Sequence, residues 1–364
     1  TYDFAPSPAL VPGNITVNGS GGTTCSTVNI TGGGTTTPSV TVSGCTGNGS
    51  YTINVAAGRS ADAVGNPDAG AGPSASVAVD NTLPTVSFSP APVNINNSNL
   101  TTYAVSGSCS EEGRTVTVTV GGTVSATPAC TGGTFSTGTM TVSGIADGGS
   151  VSVAAAHTDA AGNSATASTT VIKDTGNPTV AFTSTPSINN SNVAGYTVTG
   201  TCSENGQAVN VSIGGTVSAS PTCGGGVFST GSLGVSSIPD NASVSITASH
   251  SDAVGNPATP ASTTVIKDTV DPSVALTSTP VINIANASSY TVSGTCSENG
   301  QIVTVSVNGV PRSTPTCTGG NFTASSMDVS GVTDGPGISV TAGHSDIAGN
   351  TALDSTTVVK DTVR

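Results

Sequence analysis

The sequence predicts an all-β chain of tandem β-sandwiches, and three of its features carry that prediction. A unit of about 94 residues recurs along the chain. Within each unit, short runs alternating in Val, Ile, Tyr or Thr are separated by Gly- and Asn-rich turns. Leu, Lys and Glu, strong helix formers, are scarce, so essentially no helix is expected.

The repeat is legible in the residues themselves. The stretch A-A-A-H-T-D-A-A-G-N-S-A-T-A-S-T-T-V-I-K-D-T-G-N-P-T-V ends at Val180. It returns as T-A-S-H-S-D-A-V-G-N-P-A-T-P-A-S-T-T-V-I-K-D-T-V-D-P-S-V, ending at Val274, and a third copy runs to Asp361. Pro84, Pro178 and Pro272 mark one position of the unit, and Tyr103, Tyr196 and Tyr290 another. These landmarks divide the chain into four domains, 1–82, 83–175, 176–269 and 270–364.

In the second domain, strands are expected near Thr85–Ser89, Tyr103–Cys109, Thr115–Val120, Thr123–Thr127, Phe135–Val142, Val151–Thr158 and Ala165–Lys173. Period two puts Val116, Val118 and Val120 on one face, and likewise Val151, Val153 and Ala155. Seven strands is the immunoglobulin-like count. The antibody signature, a buried Trp against a long-range disulfide between strands B and F, is missing: the chain has no Trp and its cysteine pairs are local.

The first domain departs from the rest. Tyr2 aligns with Tyr103, so this domain is expected to lack its opening strand, and Cys45 aligns with Ile145 rather than Cys130. Its disulfide must therefore sit differently. With no signal peptide at Thr1, the chain reads as mature or as a stretch of a longer array. The alternative is a subunit whose missing strand another copy donates.

Composition narrows the function. Charged residues are only 7%, but disorder couples high charge to low hydrophobicity, and regular apolar spacing argues against it here. A net charge of −13 without a basic patch excludes nucleic acid and an anionic membrane surface as partners. No apolar run is long enough to cross a membrane as a helix. Aromatic platforms for sugars are scarce, and no Ser, His and acid constellation recurs, so an enzyme is not expected.

The eight cysteines pair locally as Cys25/Cys45, Cys109/Cys130, Cys202/Cys223 and Cys296/Cys317. No C-x-x-C occurs and the histidines are distant in sequence, so zinc is excluded and one disulfide per domain is expected, formed in an oxidising compartment. A closed loop of that size contributes about 3 kcal/mol on chain-entropy grounds.

The 20 carboxylates concentrate in a few motifs. S-E-N-G carries Glu204 and Glu298, with Glu111 and Glu112 in its S-E-E-G form. D-x-x-G-N carries Asp62, Asp159, Asp252 and Asp346, and the linker carries Asp80, Asp174, Asp268, Asp271 and Asp361. Asp147, Asp240 and Asp334 fall in the turn between strands E and F and are read as turn residues. In a sandwich, the B–C and F–G loops meet at the end where the linker arrives. Three junctions are therefore expected: Asp80 with Glu111 and Asp159, Asp174 with Glu204 and Asp252, and Asp268 with Glu298 and Asp346. Three carboxylates close together call for a cation, and oxygen ligands in flexible loops suit Ca²⁺, with Asn163, Asn256 and Asn350 nearby. The competing reading closes the D-x-x-G-N turn by side-chain-to-backbone hydrogen bonds, with Glu204 paired to Lys267 or exposed. His157, His250 and His344 each precede that aspartate by two residues and are read as structural.

C-S-E-N-G, S-D-A-V-G-N and K-D-T-V-D-P within one unit resemble the bacterial immunoglobulin-like repeats of large surface adhesins. The resemblance covers nearly the whole chain. It implies domains stacked end to end, calcium at some junctions, and a secreted stalk that spaces a distal binding head from the cell. As an extended rod, four such sandwiches would span roughly 150 Å, with Pro84, Pro178 and Pro272 limiting bending. Regular cysteine pairs depart from adhesins of the type I secretion route, which typically avoid disulfides, and favour passage through an oxidising periplasm. Partners are expected to be neighbouring copies of the repeat. The alternatives are a self-assembling filament or surface-layer subunit and, more remotely, an accessory module of a secreted enzyme.

Overall fold

The computed structural model describes residues 4–363, so Tyr2 and the alignment built on it lie outside the described residues. The chain forms two compact units, Thr1–Thr175 and Gly176–Arg364. Among the described residues the one helical piece is a 3-10 turn at Pro12–Asn14, and no helix is long and apolar enough to cross a membrane.

The first unit begins with β1 (Ile15–Ser20), β2 (Thr24–Thr31), β3 (Ser39–Thr46), β4 (Gly49–Val55) and β5 (Val77–Val79). They form a sheet ordered β1-β4-β5 and a separate hairpin, β2-β3. Five strands is fewer than the later sandwiches have. The stretch between β4 and β5 is rich in Ala, Gly and Pro and forms no regular ladder. Leu10 and Ile15 are buried in this part, as is Pro6.

The unit continues with β6 (Val86–Phe88), β7 (Ser106–Cys109), β8 (Val116–Val120), β9 (Val124–Ala126), β10 (Thr134–Ser136), β11 (Gly148–Thr158) and β12 (Ser164–Lys173). Two antiparallel sheets, β10-β7-β6 and β12-β11-β8-β9, make a seven-stranded sandwich. All seven strands expected from the sequence are present. Val116, Val118 and Val120 are fully buried opposite His157, Ala155 and Val153 of β11. The same alternation carries inward to His157, and then to Asp159 just past the strand end.

The second unit holds β13 (Val180–Ser184), β14 (Thr199–Cys202), β15 (Val209–Ile213), β16 (Val217–Ala219), β17 (Val227–Ser229), β18 (Asn241–His250) and β19 (Ala261–Lys267). Their sheets, β13-β14-β17 and β16-β15-β18-β19, repeat the preceding sandwich. Then come β20 (Val274–Ser278), β21 (Ile282–Asn283), β22 (Tyr290–Cys296), β23 (Val303–Val307), β24 (Val310–Ser313), β25 (Asn321–Met327), β26 (Gly335–Ser345) and β27 (Thr351–Asp361). Here β20-β22-β25 faces β21-β27-β26-β23-β24, with two-residue β21 running parallel to β27.

Two recurring contacts explain why the unit folds alike each time. Tyr103, Tyr196 and Tyr290 are buried, and each hydroxyl donates to a backbone carbonyl ten residues upstream, those of Val93, Pro186 and Pro280. Burial pushes these phenols up to about 12. Gly107, Gly200 and Gly294 lie under the rings of Phe135, Phe228 and Phe322, and a Cβ on Gly107 would stand 2.6 Å from the Phe135 ring. Only glycine fits there.

Candidate functional site

The recurring chemistry sits at one end of each sandwich, where D-x-x-G-N joins β11 to β12, β18 to β19 and β26 to β27. Asp159 Oδ1 accepts from the backbone N–H groups of Ala161, Gly162 and Asn163 at 2.7–2.8 Å, and Oδ2 accepts from Asn163 Nδ2 at 2.8 Å. Asp252 binds Val254, Asn256 and the Asn256 amide in the same manner, and Asp346 binds Gly349, Asn350 and the Asn350 amide. Asp62 repeats the pattern with Val64 and Asn66. The turn needs its glycine, because Gly162, Gly255 and Gly349 take φ of +99°, +92° and +95°. The amides of Asn66 and Asn163, with backbone N–H groups behind them, hold Asp62 and Asp159 below the usual carboxylate range. For Asp252, burial pushes upward, but the Asn256 amide and three backbone donors outweigh it.

Each turn is tied to the S-E-N-G loop through histidine. The Glu111 N–H donates to His157 Nε2 at 3.1 Å, and His157 Nδ1 faces the Thr115 carbonyl at 3.1 Å. Glu204 with His250 and Ala208, and Glu298 with His344 and Ile302, repeat this. A carbonyl only accepts, so Nδ1 carries the proton and Nε2 is the acceptor. All three rings are buried. They hold two loops together, as a structural role requires.

The asparagine of the same turn reaches the incoming linker. In the first unit, Asn163 Nδ2 donates to the Asp80 backbone carbonyl at 3.0 Å. In the second, Asn350 Nδ2 donates to the Asp268 carbonyl at 2.9 Å, and Asn350 Oδ1 accepts from the Asn190 N–H at 2.7 Å. Asn189 Nδ2 adds a bond to the Ala348 carbonyl at 3.0 Å, and Asn190 Nδ2 approaches the Asp271 carboxylate at 3.3 and 3.4 Å. Sequence reasoning missed Asn189 and Asn190; the signal was the N-N-S-N run that follows Ile188.

Several of the carboxylates expected at the junctions have local partners. Asp80 accepts from the Thr82 N–H, Asp268 from the Val270 N–H, and Glu111, Glu204 and Glu298 from Ser110, Ser203 and Ser297 hydroxyls. Among the described residues, no three His, Cys, Asp or Glu side chains stand together as a metal site. The donor chemistry fits calcium only in part. Asp159 and Asp346 are taken up by their own turns, while Asp80, Glu111, Asp268 and Glu298 each accept from a local donor.

Lys267 pairs with Asp240 at 2.5 Å, not with Glu204. Lys173–Asp147 and Lys360–Asp334 match it at 2.6 Å. The lysines are buried because period two along the last strand turns them inward, as with Val171 and Lys173. The ammonium hydrogen bond first, with donors from the following threonine, draws Asp147, Asp240 and Asp334 down to about 2. The sequence signal was V-[IV]-K-D-T, which places Lys173, Lys267 and Lys360 at one position of the last three repeats.

All four disulfides are formed. Three join the end of the second strand of a sandwich, β7, β14 and the equivalent β22, to the segment before the strand that pairs with it on the far side, β10, β17 and β25. The fourth, Cys25–Cys45, links directly opposed residues of β2 and β3, which is the different placement foreseen for it.

No protein-family model matches the chain, and no curated protein matches it. Solved structures do. A structure from work on host-cell-surface retention of a 1.5-MDa bacterial ice-binding adhesin is 23% identical with a TM-score of 0.31, covering 78% of this chain and 99% of that one. A Ca²⁺-stabilized adhesin with which an Antarctic bacterium binds ice is 24% identical with a TM-score of 0.32, covering 96% and 100%. A tetra-tandem repeat from the extending region of a large adhesion protein is 21% identical with a TM-score of 0.32, covering 99% and 94%. Bacterial adhesin repeats are thus among the solved structures to which this chain is similar.

Proposed function

We propose that this chain is a mechanical spacer: a non-enzymatic stalk segment of a secreted, cell-surface bacterial adhesin or extracellular fibre. One observation carries the reading. The chain's distinctive polar chemistry holds backbone to backbone: the closed Asp–Asn turn and the histidine tie recur at Asp159, Asp252 and Asp346, and the amide bridge to the linker at Asn163 and Asn350. Groups engaged in this way stiffen a junction. Disulfides in every sandwich fit an extracellular load-bearing role, since each limits how far a domain can unravel.

The division into four domains at about 82, 175 and 269 belongs to this proposal, as does calcium. Its ligands would be Asp80, Glu111 and Asp159 at one junction and Asp268, Glu298 and Asp346 at another. Their charge and recurrence support it. The closed turns of Asp159 and Asp346 limit it to weak binding, in the range of about 0.1–1 mM known for extracellular modules.

Single-molecule stretching tests the stalk. A spacer unravels in four separate steps, each lengthened when the disulfides are reduced. A single cooperative rupture would defeat the reading. Sedimentation separates the filament alternative, because a spacer stays monomeric as concentration rises and a filament subunit does not.

A further inference from the structure

We propose that the Cys25–Cys45 disulfide is a thiol-exchange site, a place where an external thiol attaches covalently to the folded chain. The other three disulfides are core elements: Cys109, Cys130, Cys202, Cys223, Cys296 and Cys317 are at most 5% exposed and belong to the three hydrophobic clusters. A thiolate reaches them only when a sandwich opens. Cys25 and Cys45 are both partly exposed, on a hairpin in which neither strand has a buried residue.

Position in the ladder matters as much as exposure. Cys25 and Cys45 face each other directly in the β2–β3 register, with Cα atoms 3.9 Å apart, against 5.9–6.0 Å in the others. That closeness marks a non-hydrogen-bonded pair of the ladder. On either side the strands are paired by contacts other than the sulfurs, at Thr24–Thr46 and from Thr27–Ser43 through Thr31–Ser39. Exchange here therefore requires no unfolding.

The step is a simple displacement. An incoming thiolate forms a new S–S bond to the sulfur of one cysteine as the Cys25–Cys45 bond breaks. The electron pair leaves on the other cysteine as thiolate, which takes a proton from solvent. The product is a mixed disulfide on one strand and a free thiol on its neighbour. A second attack by that thiol restores the original bond and expels the adduct. The co-reactant is any accessible thiol of a small molecule or protein, and no other oxidant or reductant enters.

Reduced glutathione is the probe. The native chain is exposed to it without denaturant, quenched with an alkylating agent and mapped by peptide mass. Glutathione or alkyl adducts are expected on Cys25 and Cys45 at least about tenfold faster than on the other six cysteines. Equal rates over all four pairs, or a lag at Cys25–Cys45, would overturn the proposal. The Cys25→Ala/Cys45→Ala variant must lose the fast phase and keep the slow one; a fast phase surviving in it would equally defeat the assignment.

Discussion

The side-chain amide of Asn350 donates both to the carboxylate of Asp346 in its own turn and to the backbone carbonyl of Asp268, 82 residues earlier. One planar amide thus closes a turn and fixes the linker that enters the sandwich. Asn163 stands in the same relation to Asp159 and Asp80.

Asn350→Ala removes both donors and the acceptor used by Asn190, whereas Asn350→Asp keeps an acceptor and loses the donors. The alanine variant is expected to lose about 1–2 kcal/mol. Proteolysis at the linker around Asp268–Asp271 should accelerate in both. Cleavage rates equal to those of the parent chain would show that the bridge bears no load.

Calcium is expected to raise the unfolding temperature in the millimolar range and a chelator to reverse it, by about 1–2 kcal/mol at saturations near tenfold. Magnesium should do less, since these loops offer no octahedral cage. A scan unchanged by calcium retires the metal from the proposal and leaves the amide bridges as the stiffening element.

Acid should weaken every sandwich that carries the Lys–Asp pair. Asp147, Asp240 and Asp334 have folded values drawn from 3.8 to about 2, so their stabilisation is present above pH 4. It is lost as pH falls from about 4 through 2, because the unfolded chain takes up the proton first. Thermal unfolding between pH 5 and pH 2 should show this fall, and Asp240→Asn should flatten the share due to its own sandwich. At neutral pH, Asp240→Ala strands the buried Lys267 ammonium and should cost about 3 kcal/mol.

His250→Leu keeps an apolar volume but deprives the Glu204 N–H and the Ala208 carbonyl of their partners. A loss of about 2–4 kcal/mol is expected, confined to that sandwich. Amide exchange at Glu204 reports it directly. Protection there equal to the parent would mean that the ring fills space and nothing more.

The sequence by itself determined the β-class, the seven strands of the second sandwich, which valines face inward, and the odd placement of Cys45. All of these follow from local periodicity and from comparing the chain with itself, and alternation fixes the side of a sheet without reference to distant residues. It also singled out Asp159, Asp252 and Asp346, because D-x-x-G-N is a local motif whose partners lie within five residues. What only the tertiary structure decided was the company these groups keep. Lys267 meets Asp240 rather than Glu204, and Asn189 meets Ala348 across 159 residues. The reason is geometric. A hydrogen bond is won or lost within a few tenths of an ångström, and which loop arrives at that distance depends on how whole sheets pack, which no window of sequence contains.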